Sequence, residues 1–353
     1  MRQEGQFRKI PGLARMNETD NNGQANVLNI NIEAKSMYQD SKSNQIILTR
    51  IYDATVKQVW DAWTDPAKAA KWWGPRGFTI TNHSKELKVG GIWHYTMHGP
   101  DGTDYPNKAL YHEVGLYKLL VYDHGGYDDR PPLFRVRVVF SDLGKKTKIE
   151  MTMAFPTPEE AEKTKKFIKE VGGTGTWDRL AEYLEGEISG KQLFVINRSF
   201  AASIEKVFDM WTKPVHFSKW MGPAGVRMEY LVSEIQEGKT LFYKMTNDKD
   251  INMYGKIHYH KIERPTCLEY SQVFCDEKGN VTRHPMAPVW PEVMQTKVLF
   301  ASEEDGQTRV TVIWEPKAPV TPEELKVFVD ARAGMTQGWT GSFDKLEEYL
   351  LSQ

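Results

Sequence analysis

The chain has little cysteine: two in 353 residues, Cys267 and Cys275. Both fall in one extended segment, where about eight residues of strand at ~3.3 Å each hold them ~26 Å apart. A disulfide needs Cα atoms within ~7 Å, so these two do not bridge there, and a reducing compartment is expected. Net charge is nearly lacking too, since 46 Lys and Arg face 47 Asp and Glu. That balance provides no whole-molecule field to draw nucleic acid or an anionic membrane, and neither is expected as a partner. No apolar run reaches the ~20 residues of a membrane span, and none before Gln45 resembles a signal-peptide core, so a cytoplasmic chain is expected. Nucleophile elbow, phosphate loop, zinc-type Cys/His spacing and dinucleotide fingerprint are all missing, and no cofactor or metal is expected.

What is present is a repeat. The stretch WTDPAKAAKWWGPRGF from Trp63 returns as WTKPVHFSKWMGPAGV from Trp211, an offset of 148 residues. The same offset runs without a gap from Arg50 to Tyr122 and carries 21 identities in 73 positions, which marks a duplicated domain. The second copy then gains an insertion, CDEKGNVTRHPMAPVWPE from Cys275 to Glu292, rich in turn formers and read as a long loop. Beyond it TWDRLAEYL from Thr176 matches SFDKLEEYL from Ser342. Residues 1–43 form a polar tail that cannot bury enough to fold alone, with one alternating segment, Val27 to Ile32. The predicted domains are 44–188 and 191–353.

Each copy shows the same order of periodicities. An alternating strand opens it, with Ile46, Leu48 and Tyr52 on one face in the first copy. A helix follows: Thr55 and Gln58 have capping-box spacing, and Val56, Val59, Trp60 and Trp63 make one stripe. Ser203 caps the matching helix, with Ile204, Val207, Phe208 and Trp211 as its stripe. Pro66 suits the first turn of another short helix, and Gly74, Pro75 and Gly77 turn the chain into the next strand. Several strands lead to a helix opening at Thr157 or Thr321, with glycines at 172–175 and 334–341 before its last apolar face. This order makes an α+β domain, a curved antiparallel sheet around a long terminal helix.

The strings RIYDATVKQVWDAWTDPAKAAKWWGPRGF, VGGIWHYTMHGPDG and GWTGSFDKLEEYL resemble the family of homologues of the activator of the heat-shock protein 90 ATPase. That family belongs to the START-like (SRPBCC) superfamily with the helix-grip fold. The resemblance implies two tandem helix-grip domains, each with an apolar cavity between sheet and helix that suits a small hydrophobic ligand. It also implies a chaperone partner in the stress response, though the tail is too short for the family's separate chaperone-contacting domain and lacks its basic motif. A third implication is a cyclase, dehydratase or hydrolase working with one or two polar residues in the cavity.

Parity and the repeat supply the lining. In the first copy Trp73, Trp93, Tyr95, Met97, Met151, Met153, Phe167 and Trp177 are placed inside. Met221, Tyr243, Met245, Trp314, Phe328 and Trp339 follow in the second, where Met221 stands in for Trp73. Such side chains suit a malleable apolar pocket or equally a solid core. His112 and His260 occupy one slot in both copies and are the candidate acid/base or ligand-bonding groups, with His112 on the parity of Leu110 and Val114 that reads as inward. The other reading is a core histidine bonded to a carbonyl or tyrosine. His94 and His98 fall on the outer face of their strand. Arg50, on an inward parity, needs a partner, and Glu86 is the candidate.

Overall fold

In a computed structural model that describes residues 42–353 apart from 171–174, 224, 248–251 and 304–305, each copy begins as its alternation dictates. β1 (Gln45–Tyr52) buries Leu48, Arg50 and Tyr52 and exposes Ile47 and Ile51. The predicted tail up to residue 41, with its Val27 to Ile32 segment, lies outside the described residues. α1 (Val56–Thr64) starts on the complete capping box of Thr55 and Gln58 and buries Val59, Trp60 and Trp63. α2 (Pro66–Trp72) has Pro66 in its first turn, with the Asp65 carboxylate accepting from the Ala67 and Lys68 amides.

Six strands complete the first sheet: β2 (Thr79–Lys85), β3 (Ile92–His98), β4 (Asp104–Gly115), β5 (Leu119–Gly126), β6 (Phe134–Asp142) and β7 (Thr147–Ala154). They run antiparallel in the order β1-β7-β6-β5-β4-β3-β2, so the first and last strands in space are the first two in sequence. The terminal helix comes in two pieces, α3 (Pro158–Glu170) and α4 (Gly175–Ser189), either side of the glycine-bearing stretch. One apolar cluster joins the inner sheet face to α1, α2 and α4.

The second copy repeats this plan: β8 (Phe194–Phe200), α5 (Ile204–Thr212) capped by Ser203, α6 (Pro214–Trp220), and β9 (Val226–Val232) through β14 (Thr308–Pro316). Between them lie β10 (Thr240–Asn247), β11 (Asn252–Glu263), β12 (Cys267–Cys275) and β13 (Val293–Ser302), in the spatial order β8-β14-β13-β12-β11-β10-β9. Both cysteines are free, at opposite ends of β12. α7 (Pro322–Asp330) begins on a Thr321–Glu324 capping box, and α8 (Arg332–Leu351) carries its glycines within the helix. The chain is therefore α+β, two tandem domains each of a seven-stranded antiparallel sheet gripping a terminal helix.

The copies meet through charged and polar groups of α4 and β8. Glu182, buried on α4, accepts both terminal nitrogens of Arg76 at 2.5 and 2.9 Å and the Val195 amide at 2.8 Å. Arg76 also donates to the Val195 carbonyl at 2.9 Å and lies over the Phe194 ring. Asn197 bonds Asp178, and Arg309 bonds the Thr49 carbonyl.

Burial pushes the Asp178 carboxyl up to about 7, although Arg50 and Arg76 pull it down. A carboxyl that holds its proton more tightly in the folded state stabilises the fold at low pH and loses that contribution as pH rises towards its folded value. Asp178 is expected to contribute on the order of 3 kcal/mol at pH 4 that is lost by pH 8, so Asp178→Asn, which keeps an acceptor for Asn197, is expected to gain that much relative to wild type as pH rises. Urea unfolding across the range checks this; equal slopes for the two proteins would contradict it.

Candidate functional site

The corner after α2 builds the first interior. Gly74 sits at φ +95°, and a Cβ there would lie 2.9 Å from the Met97 methyl, so the turn needs glycine on both counts. The turn directs Trp72 and Trp73 inward. Trp72 Nε1 donates to the Ala62 carbonyl at 3.0 Å, tying the corner to α1, and Trp220 repeats this bond with Met210 at 2.9 Å. Trp63 stacks on Trp177 at 5.2 Å and 14°, as Trp211 does on Trp339 at 5.9 Å and 16°. Arg179 donates to the carbonyls of Gly74, Pro75 and Phe78, and its repeat partner Lys345 to those of Gly222 and Val226.

Of the expected lining, Trp73, Trp93, Tyr95, Met151 and Met153 are buried, and Met97 and Trp177 are half-buried. The side chain of Phe167, on α3, lies outside the described residues. In the second copy Met221, Tyr243, Met245, Phe328 and Trp339 are buried and Trp314 half-buried. Much of this lining is spent on itself: Trp73 meets Trp93 at 4.8 Å, and Trp93 meets Tyr95 at 4.3 Å. Lys85 closes one end, its ammonium 3.6 Å over Trp93 and 2.9 Å from the Trp63 carbonyl. Burial pushes that ammonium down to about 7, while the ring face and carbonyl favour the cation.

The inward reading of His112 is overturned by a bulge. Tyr111 pairs with Tyr122 and Glu113 with Val121, which leaves His112 as the extra residue of β4. Tyr111 and Val114, three apart, therefore both reach the core, and His112 turns to the outer face, 2.8 Å from the Asp123 carboxylate that Arg135 also binds. The second copy bulges at the same place: Tyr259 pairs with Tyr270 and Lys261 with Glu269, and His260 is exposed, 3.0 Å from the Ser271 hydroxyl. Neither histidine enters an interior. Glu86 is not the partner of Arg50 either: it is exposed and paired with Lys88, while Asp178 is the charge that acts on buried Arg50. In the second copy Arg198 binds Asp344, the repeat equivalent of Asp178, at 2.5 Å.

The interior histidine is one the sequence reading missed, His124. In LLVYDHGG the signal was plain parity: Leu120, Tyr122 and His124 share one side of β5. Its Nδ1 lies 3.5 Å from the Tyr95 hydroxyl, whose oxygen faces Trp73 Nε1 at 3.4 Å, and its ring stacks on Phe134 at 4.9 Å. With Trp73 donating to that oxygen, the hydroxyl proton points to Nδ1 and Nε2 carries the imidazole N–H. Burial pushes the imidazole down to about 4, so it is neutral at pH 7. Nε2 has no protein partner among the described residues.

The two grips differ at this end. In the first, half-buried Ile80, Met97, His124 and Phe134 lie together where β2 begins, β3 and β5 end and β6 begins. In the second, the insertion between β12 and β13 covers the matching end. Its Trp290 packs on the core against Phe328 at 5.8 Å, and Arg283 binds both the Trp290 carbonyl and Glu324. Gln272 replaces His124 there and accepts from the Thr296 hydroxyl at 3.2 Å, satisfied within the protein.

Fold and interior together define a tandem helix-grip protein. The model of the Activator of Hsp90 ATPase homolog 1-like protein family matches residues 53–185 and 201–351, and the chain belongs to that family. Similar solved structures include a protein from Arthrobacter aurescens, 26% identical over 42% of this chain and 89% of its own, with a TM-score of 0.38. One from Nitrosomonas europaea is 22% identical over 42% and 97%, with a TM-score of 0.39. The di-domain ARO/CYC protein BexL of the BE-7585A biosynthetic pathway is 9% identical over 86% and 97%, with a TM-score of 0.35. Comparison with curated proteins gives no match. Among the described residues no helix is long and apolar enough to cross a membrane, and no cluster of three or more His, Cys, Asp or Glu forms a metal site.

Proposed function

We propose that the first repeat binds a small apolar or aromatic molecule bearing one hydrogen-bonding group, held at the half-buried end of its grip against Tyr95 and His124. The observation that carries this reading is His124: a neutral imidazole, facing into an apolar interior, with Nε2 unpaired among the described residues. His124 is half-buried, so Nε2 can be reached from that end, and a ligand oxygen arriving there can accept its proton. The second repeat, closed by Trp290 and with Gln272 already bonded, supports the first. An imidazole that titrates near 4 is poorly matched to proton transfer at pH 7, which favours recognition over acid/base catalysis. The cochaperone reading rests on the family's name alone.

Titration of the full chain with 2-naphthol and naphthalene, followed by tryptophan fluorescence, tests the proposal. Both are expected to saturate. His124→Gln, which installs the residue the second copy carries in that slot, is expected to weaken 2-naphthol about tenfold or more and naphthalene by less than about threefold. Failure of both probes to saturate, or unchanged 2-naphthol binding in His124→Gln, would sink it.

A further inference from the structure

Between the repeats lies a cleft of about 780 Å³, distinct from either grip. That volume is in the range of small-molecule sites, ~300 to 1,000 Å³. Lys68 and Lys71 of α2 stand on one wall, and Arg332, the first residue of α8, on the other. Five cationic side chains and three carboxylates line it, so positive charge is in excess. Glu182 is held by Arg76 and the Val195 amide, Asp330 by Lys326 at 2.5 Å, and Glu187 by the Tyr183 hydroxyl.

The cations are not all matched. Arg179 is spent on the corner carbonyls and Arg76 on Glu182. Lys68 and Lys71 have no acidic partner among the described residues. Arg332 reaches Glu182 only at 3.9 Å and bonds Gln192 at 3.3 Å, and its Nε makes no hydrogen bond. Two guanidinium groups thus share one buried carboxylate while two ammonium groups face the same space.

We propose that this cleft is a binding site for a small organic anion, a phosphate or carboxylate, held by Lys68, Lys71 and Arg332. The arginine presents a planar set of donors and the lysines two mobile charges, a combination suited to phosphoryl or carboxyl oxygens. Tyr183, Val329 and Ala333 add apolar surface for an attached organic group. Because both repeats supply the walls, a bound anion stabilises their union and raises the unfolding temperature in proportion to its occupancy. The site does not depend on the grip ligand, since neither Tyr95 nor His124 lines it.

Calorimetric titration of the full chain at low salt, with phenyl phosphate, benzoate and inorganic phosphate as probes, tests the assignment. Saturable binding of phenyl phosphate or benzoate is expected, weakened at least about tenfold in Lys68→Ser/Lys71→Ser and weakened by added salt. Phenyl phosphate alone would specify phosphate, benzoate alone carboxylate, and inorganic phosphate alone a site that ignores the organic group; each supports an anion site provided the double variant loses it. Both lysines are on the surface side of α2, and retained thermal unfolding of the apo variant separates lost binding from lost folding. The His124→Gln protein should bind these anions as wild type does. No saturable binding of any probe, or binding undiminished in the double variant, overturns the proposal.

Discussion

Glu182→Ala is expected to lower stability by about 3–5 kcal/mol, the range for removing one member of a buried ion pair. Three groups lose their acceptor together: both terminal nitrogens of Arg76 and the Val195 amide. Arg76 is itself nearly enclosed, at 10% side-chain exposure, so water does not replace the lost carboxylate cheaply. Arg332 loses its nearest opposite charge as well. Glu182→Gln keeps an oxygen for the Val195 amide and is expected to cost less. Urea unfolding measures both; a loss below about 1 kcal/mol for the alanine variant would show that the joint between repeats is not held this way.

Trp63→Ala is expected to cost about 3–5 kcal/mol, as large aromatic deletions in a tight core do. Trp63 is fully enclosed at 1% exposure and meets Trp72, Trp73, Phe140 and Trp177 at 5.2 to 5.8 Å. Removing it takes away the ring on which Trp177 stacks, so the terminal helix loses its hold on α1. Thermal unfolding and near-ultraviolet circular dichroism, which reads the coupled indoles, check this together. A variant that loses less than about 1.5 kcal/mol would mean the space can collapse.

The framework was legible because its signals are local. A capping box, a proline at a helix start and a period of two need no knowledge of distant residues, and Thr55 with Gln58, Pro66, and Leu48 with Tyr52 all stand as their spacing dictated. The repeat added a second copy of every such signal. The polar details failed where a long-range fact intervened. Counting parity back from Val114 crosses the bulge at His112 and assigns the wrong face, whereas the run Leu120, Tyr122, His124 crosses none. The spacing of Tyr111 to Val114 and Tyr259 to Ile262 could have warned of it, since three residues apart share a face only across such an irregularity. Arg50 found Asp178, 128 positions away, where Glu86 had seemed nearer, because the terminal helix lies across the first strand. The joint between repeats had no signature at all: Arg76 aligns with Ala224, so the duplication itself gave no hint of its role.

The claim that matters most is that the first grip receives a ligand at Tyr95 and His124 while the second stays closed. Heteronuclear NMR of the full chain titrated with 2-naphthol tests it most directly, following the ring signals of His124 and the methyl signals of Met97 in the first repeat and Met294 in the second. Saturable shifts at His124 and Met97, with Met294 unmoved, are expected. Shifts confined to the second repeat, or none at saturating probe, would contradict the account.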